Sequence, residues 1–220
     1  MVPRAPRNSL TKERILKGAL ELADLHGLDA LTIRGLAVHL GVRPMSIYHY
    51  IATKDRLLDA LVDVVFEELH TPNETGDWKN ELALRAHSMR AALSRHAWAL
   101  AVMETRTDPG PTTLANHEAV LVVLRTAGFS VAHAGHAYAI LDAFVYGFAL
   151  QDLMLRTAGL DTSAQELHEG INLNEYPRIN ELAMYHVEAA NYPLDASFDI
   201  GLSITLDGIE KFLLDGAGTG

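Results

Sequence analysis

Residues 31–50 read Leu-Thr-Ile-Arg-Gly-Leu-Ala-Val-His-Leu-Gly-Val-Arg-Pro-Met-Ser-Ile-Tyr-His-Tyr, and the spacing of apolar and turn residues in this stretch decides the fold. Thr32 stands where a helix N-cap accepts a backbone N–H bond. Ile33, Leu36, Ala37 and Leu40 follow at helical spacing and make one buried face. Gly41 supplies the permissive backbone of a turn, and Val42 and Ile47 are placed to pin a second short helix, reaching Tyr48 to Tyr50, steeply across the first. These are the mechanics of a helix-turn-helix. The opposite face of the second helix carries Arg43, Met45, Ser46 and His49, while Tyr48 and Lys54 stand where a hydroxyl and an ammonium can reach phosphates. Pro44 offers no N–H donor and Met45 only apolar contact, which suits a thymine methyl. The competing reading of such a helix pair is an αα-hairpin that merely packs.

Charge separates the two. The whole chain has 18 basic and 28 acidic residues, a net charge of −10. Residues 1–56 hold nine of the basic residues (Arg4, Arg7, Lys12, Arg14, Lys17, Arg34, Arg43, Lys54, Arg56) and five acids (Glu13, Glu21, Asp24, Asp29, Asp55), a net of +4. The other 164 residues therefore hold 9 basic and 23 acidic groups, a net of −14. A basic head on an acidic body binds phosphates at one end only.

Working outward, helical spacing recurs from end to end and strand alternation never runs long, so the fold class is all-α. A first helix is expected over 11–25, with Ile15, Leu16, Ala19, Leu20 and Ala23 as its apolar stripe and Gly27 as its stop. A fourth starts near Thr53 and buries Leu57, Leu58, Leu61, Val62 and Val65. After a break at 71–76, helical segments are expected over 77–95, to Met103, over 112–127 with a stop at Gly128, and over 130–156 with Ser130 as cap. Residues 159–174 read as polar and loose, 177–190 as a helix, and a last helix opens at Asp195 or Ser197, ends near Leu214 and leaves a frayed tail. The expected domains are a helix-turn-helix head at 1–56 and a helical ligand-binding and dimerisation domain at 57–220.

Much chemistry is excluded. With no cysteine there is no disulfide, thiolate metal site or cysteine nucleophile. Gly-rich phosphate loops, Gly-x-Ser-x-Gly elbows and His-Glu-x-x-His signatures are missing, which leaves an all-α enzyme or plain ligand-binding protein as a weak alternative. His133 and His136 lie i, i+3 without a third ligand, so no metal and no cofactor are expected. No leader or long apolar span stands out, and the expectation is a cytoplasmic protein with no membrane partner. The segment 130–156 carries Tyr138, Leu141, Phe144, Val145 and Phe148 on several faces, and the last helix has Phe198, Leu202, Ile209, Phe212 and Leu213 between small residues. Together they are expected to form a homodimer interface, the other reading being an intramolecular core alone.

Leu31-Thr-Ile-Arg, Leu36-Ala37, Leu40-Gly-Val, Ile47-Tyr48 and Lys54 through Leu58-Asp-Ala-Leu61 resemble the DNA-binding head of the TetR family. Trp78, Leu93, His96, Thr105-Arg106, Gly128-Phe129-Ser130 and Gly147 extend the resemblance to its tetracycline-repressor branch. The resemblance implies a dimeric regulator that binds double-stranded operator DNA and is released by a small effector; repression rather than activation is the expectation. It implies that Arg34, Arg43, Pro44, Met45, Ser46 and His49 face bases and that Thr32, Tyr48 and Lys54 face the DNA backbone. It further implies an effector pocket lined by His70, Arg85, Met89, Thr105, Arg106, His117 and Phe148. Where that branch ligates magnesium through a histidine and a carboxylate, this chain has Val102 and Gln151. A valine has no donor atom and a neutral amide is a weak one, so a magnesium-chelated tetracycline is not the expected effector.

Overall fold

The computed structural model describes residues 10–103, 105, 108–157, 173, 175–189 and 195–216, with side chains left aside at 186–189, 195 and 214–216. Among them every regular element is a helix: α1 (Lys12–Ala30), α2 (Ile33–Leu40), α3 (Pro44–Tyr48), α4 (Lys54–Glu67), α5 (Trp78–Arg95), α6 (Trp98–Met103), α7 (Pro111–Thr126), α8 (Val131–Thr157), α9 (Pro177–Ala189) and α10 (Asp195–Gly216). Arg106, most of the 159–174 stretch and the tail beyond Gly216 lie outside the described residues. The chain forms two compact units, 1–126 and 127–220, and residue 56 falls inside the first.

In the first unit, α1 packs on α2, α4 and α6, α2 on α3, α4 on α6 and α7, and α5 on α6 and α7. Thr11, Thr32 and Thr53 cap α1, α2 and α4 by accepting from Arg14, Gly35 and Arg56 amides, which fixes where each helix begins. Gly27 adopts φ 74°, as a helix-ending glycine does, but one more turn follows and α1 closes at Ala30 rather than near residue 25. The buried side of α1 is Ile15, Ala19, Leu22 and Ala23, with Leu16 and Leu20 only half-buried. Leu36 and Ile47 are completely buried, so the pair α2–α3 closes over α1 as one small core. Gly41, at φ 67°, turns the chain between them in the left-handed region that costs other residues about 1–2 kcal/mol.

The second unit is built on α8 and α10, which pack together. Phe198 is fully buried against Phe144 and Phe148, with ring centroids 5.4 Å away in both cases. Gly201 permits this, because a Cβ there would lie 2.7 Å from the Phe144 ring. Ser130 caps α8 by accepting from His133 N. Helix α8 is long and apolar enough by composition to cross a membrane, although Ala134, Ala137, Leu141, Val145 and Ala149 are buried within the unit.

Candidate DNA interface and effector site

Helix α3 turns one residue inward and the rest outward. Ile47 is fully buried, whereas Arg43, Pro44 and His49 are exposed, Ser46 is half-buried, and Met45 and Tyr48 are 68% and 45% exposed. Met45 adds an apolar side chain to an outward face on which Arg43, Ser46, Tyr48 and His49 carry donors and acceptors. Arg43 stands at the N-cap position but makes no side-chain capping bond, and Pro44 occupies the first turn, where its missing N–H costs nothing. Arg34 at the start of α2 and Lys54 at the start of α4 are exposed too. Thr32 Oγ accepts from Gly35 N at 2.9 Å. A hydroxyl that caps by accepting still has its proton to donate to a phosphate.

Two contacts absent from the sequence reading steady this surface. Arg14 donates to the Leu40 carbonyl at 3.2 Å, tying α1 to the end of α2, and Tyr50 donates to the Leu10 carbonyl at 2.7 Å. Neither was legible, because each joins a side chain to a main-chain oxygen far along the chain. Docked in a major groove, an outward face of this composition can pair guanidinium and hydroxyl groups with base edges and phosphates.

The body places four of the seven expected effector residues around the end of α4, α5 and α7. Arg85 and Met89, one turn apart on α5, are completely buried. Arg85 Nε donates to Asn116 Oδ1 at 2.9 Å, and Asn116 Nδ2 reaches the His70 carbonyl at 3.5 Å, so Asn116 links Arg85 to His70. His117 meets the edge of Phe66 at 5.4 Å. His70 Nε2 lies 2.6 Å from Glu81, whose carboxylate also accepts from Asn73 N at 2.9 Å. Those two hydrogen bonds, the backbone one foremost, hold the Glu81 carboxyl below the usual carboxylate range. A group lowered in this way stabilises the fold above its ordinary pKa, and the stabilisation disappears as pH falls through the lowered value. Glu81→Gln is therefore expected to lower the melting temperature at pH 7 and to have little effect in acid, where the wild-type carboxyl is already protonated.

The remaining expected residues are Thr105, Arg106 and Phe148. Thr105 is exposed, its hydroxyl 3.0 Å from the Val102 carbonyl, and Arg106 is outside the described residues. Phe148 belongs to the second unit, with its ring centroid 4.9 Å from that of Phe144. Val102 is buried and Gln151 exposed. Sequence reasoning missed Asn116, which is 3% exposed, and Asp63 of α4, which accepts from Thr113 N and Oγ at 2.9 and 2.8 Å and so caps α7. An N-cap supplied from another helix leaves no local signature.

Comparison with known proteins agrees with this geometry. Residues 15–61 match the description "Bacterial regulatory proteins, tetR family" and residues 71–213 match "Tetracyclin repressor-like, C-terminal domain". The chain is 31% identical to the HTH-type transcriptional repressor DrrR1 of Streptomyces coeruleorubidus, across 94% of this chain and 80% of that one. It is 32% identical to the class A tetracycline repressor from transposon 1721 of Escherichia coli, across 92% and 91% of the two. Among solved structures, ActR of Streptomyces coelicolor in complex with actinorhodin superposes with a TM-score of 0.75 at 28% identity, covering 95% of this chain and 99% of that one. The matched family descriptions and the relatives named as repressors define a helix-turn-helix transcriptional regulator. The chain belongs to the TetR family, with its DNA-binding head followed by a helical ligand-binding domain.

Proposed function

We propose that this chain is a homodimeric repressor whose two heads, residues 1–56, occupy two operator half-sites until a small effector enters the body at 57–220. The carrying observation is α3, which spends one side chain on its own core and presents Arg43, Pro44, Met45, Ser46, Tyr48 and His49 outward. Relatives named as repressors support the direction of control. Dimerisation is supported by the outer sides of α8 and α10, where Ile140, Leu150, Met154, Ile200 and Ile204 are 45–67% exposed. On α8 the exposed residues Gly135, Ala139, Ala143 and Gly147, four apart, would let another helix approach closely. A second copy of the same surface satisfies both features and accounts for the apolarity of α8 without a membrane.

The effector is a small, largely apolar molecule that carries a carboxylate, a phenolate or several carbonyls. Arg85 and Met89 support this: a completely buried guanidinium that donates to Asn116, one turn from a completely buried thioether, puts a charged donor in an apolar frame. ActR, a TetR family protein of Streptomyces coelicolor, is a precedent in that its structure is known in complex with actinorhodin. Release requires the effector to prefer the head arrangement that does not fit DNA, by about 1–3 kcal/mol for typical coupling. Calorimetric titration with tetracycline, with and without magnesium, tests the chemistry at Val102 and Gln151. No magnesium-dependent binding is expected; tight binding that also dissolves a DNA complex would show that neither replacement removes the metal site.

A further inference from the structure

Helix α1 lies within the proposed head, yet Asp24 reaches beyond it. Its Oδ1 accepts from His96 Nδ1 at 2.8 Å and from Trp98 Nε1 at 2.7 Å. The other ring nitrogen, His96 Nε2, lies 3.1 Å from Glu68 Oε1, and Glu68 is also ion-paired with Arg95. His96 is only 5% exposed. A carboxylate beside each ring nitrogen fixes both the position and the rotation of the imidazole. Burial alone would push the Glu68 carboxyl up, but hydrogen bonds from Arg95 and His96 outweigh it and hold the group below the usual carboxylate range. Glu68 therefore accepts rather than donates.

These groups sit on separate elements: Asp24 on α1, Glu68 at the end of α4, Arg95 on α5, His96 at the corner between α5 and α6, and Trp98 on α6. Apolar side chains between helices tolerate small slides, whereas a ring clamped between two carboxylates has one geometry. We infer that His96 is a positioning residue for operator recognition: the Asp24–His96–Glu68 bridge sets the angle of α1 against α4 and α6, and thereby the half-site spacing the dimer accepts. The inference rests on the reading of the chain as a dimeric DNA-binding regulator.

The test uses the full-length dimer and the duplex that it footprints upstream of its own gene, together with versions whose half-site spacing is changed by one and two base pairs and a duplex with a single half-site. The wild type should prefer the native spacing by about tenfold or more, within the range of typical coupling. His96→Gln and Asp24→Ala should narrow that preference to about threefold or less while single half-site binding persists. Asp24→Asn, whose amide oxygen still accepts both bonds, should keep most of the preference. Wild-type spacing preference in His96→Gln and Asp24→Ala would overturn the inference. So would parallel loss of single half-site binding, which would mean that the bridge merely keeps the head folded. A wild type that footprints no duplex would overturn the regulator reading itself.

Discussion

Replacing Ile200 and Ile204 together by Asp is expected to produce a folded monomer that no longer holds an operator. The two residues stand one turn apart on α10 and are 62% and 67% exposed, so the protomer's own packing loses little. In the proposed two-fold dimer each would be buried twice, and burying an isoleucine contributes about 1.5–3 kcal/mol. The change also forces four unpaired carboxylates into an apolar contact, which is costlier than the lost burial. A monomer has one head, and its affinity should fall towards the non-specific level, about a thousandfold or more below specific binding. Sedimentation at micromolar concentration, circular dichroism and a binding titration measure the three parts. A dimer that survives the double substitution would refute this interface. Charges at Leu202 are a poorer probe, because Leu202 is 3% exposed and belongs to the packed interior of its own unit.

Arg43→Ala and Lys54→Ala should weaken DNA binding in different ways. Arg43 flanks α3 with its guanidinium uncommitted to capping, and a lost base contact costs about 1–3 kcal/mol, concentrated on one base pair. Lys54, exposed at the start of α4, is placed for a phosphate. Its loss should lower affinity for every sequence alike and reduce the slope of log affinity against log salt by about 0.9. Binding of a set of duplexes with single base changes, repeated at several salt concentrations, separates the two patterns. An Arg43→Ala variant that weakens all duplexes equally would assign that side chain to the backbone rather than to a base.

What was legible in the sequence was local or periodic. Thr32, Gly41 and Ile47 announced a cap, a turn and a buried pin within 16 residues of one another, and the structure places all three in those roles. Gly27 was legible as a breaker, but the further turn to Ala30 was not, since a glycine marks a kink without saying whether helical hydrogen bonding resumes. The stripe on α1 shifted from Leu16 and Leu20 towards Leu22, because partners on α2, α4 and α6 decide which half of an apolar arc faces inward. Illegible altogether were contacts across long separations. The bonds from Asp24 to His96 and from Asp63 to Thr113 span 72 and 50 residues. Arg85 and His117 could be proposed for the body from resemblance, but Asn116, which bonds Arg85, carries no pattern of its own.

On the proposed function, the α3 face recognises a particular DNA sequence. The most direct measurement of this is fluorescence anisotropy of the full-length protein against its own upstream fragment and an unrelated fragment of equal length, over about 50–200 mM salt. The upstream fragment should bind at least about a thousandfold more tightly than the other at physiological salt, and both affinities should fall steeply as salt rises. Equal affinity for the two fragments, or binding indifferent to salt, would contradict it.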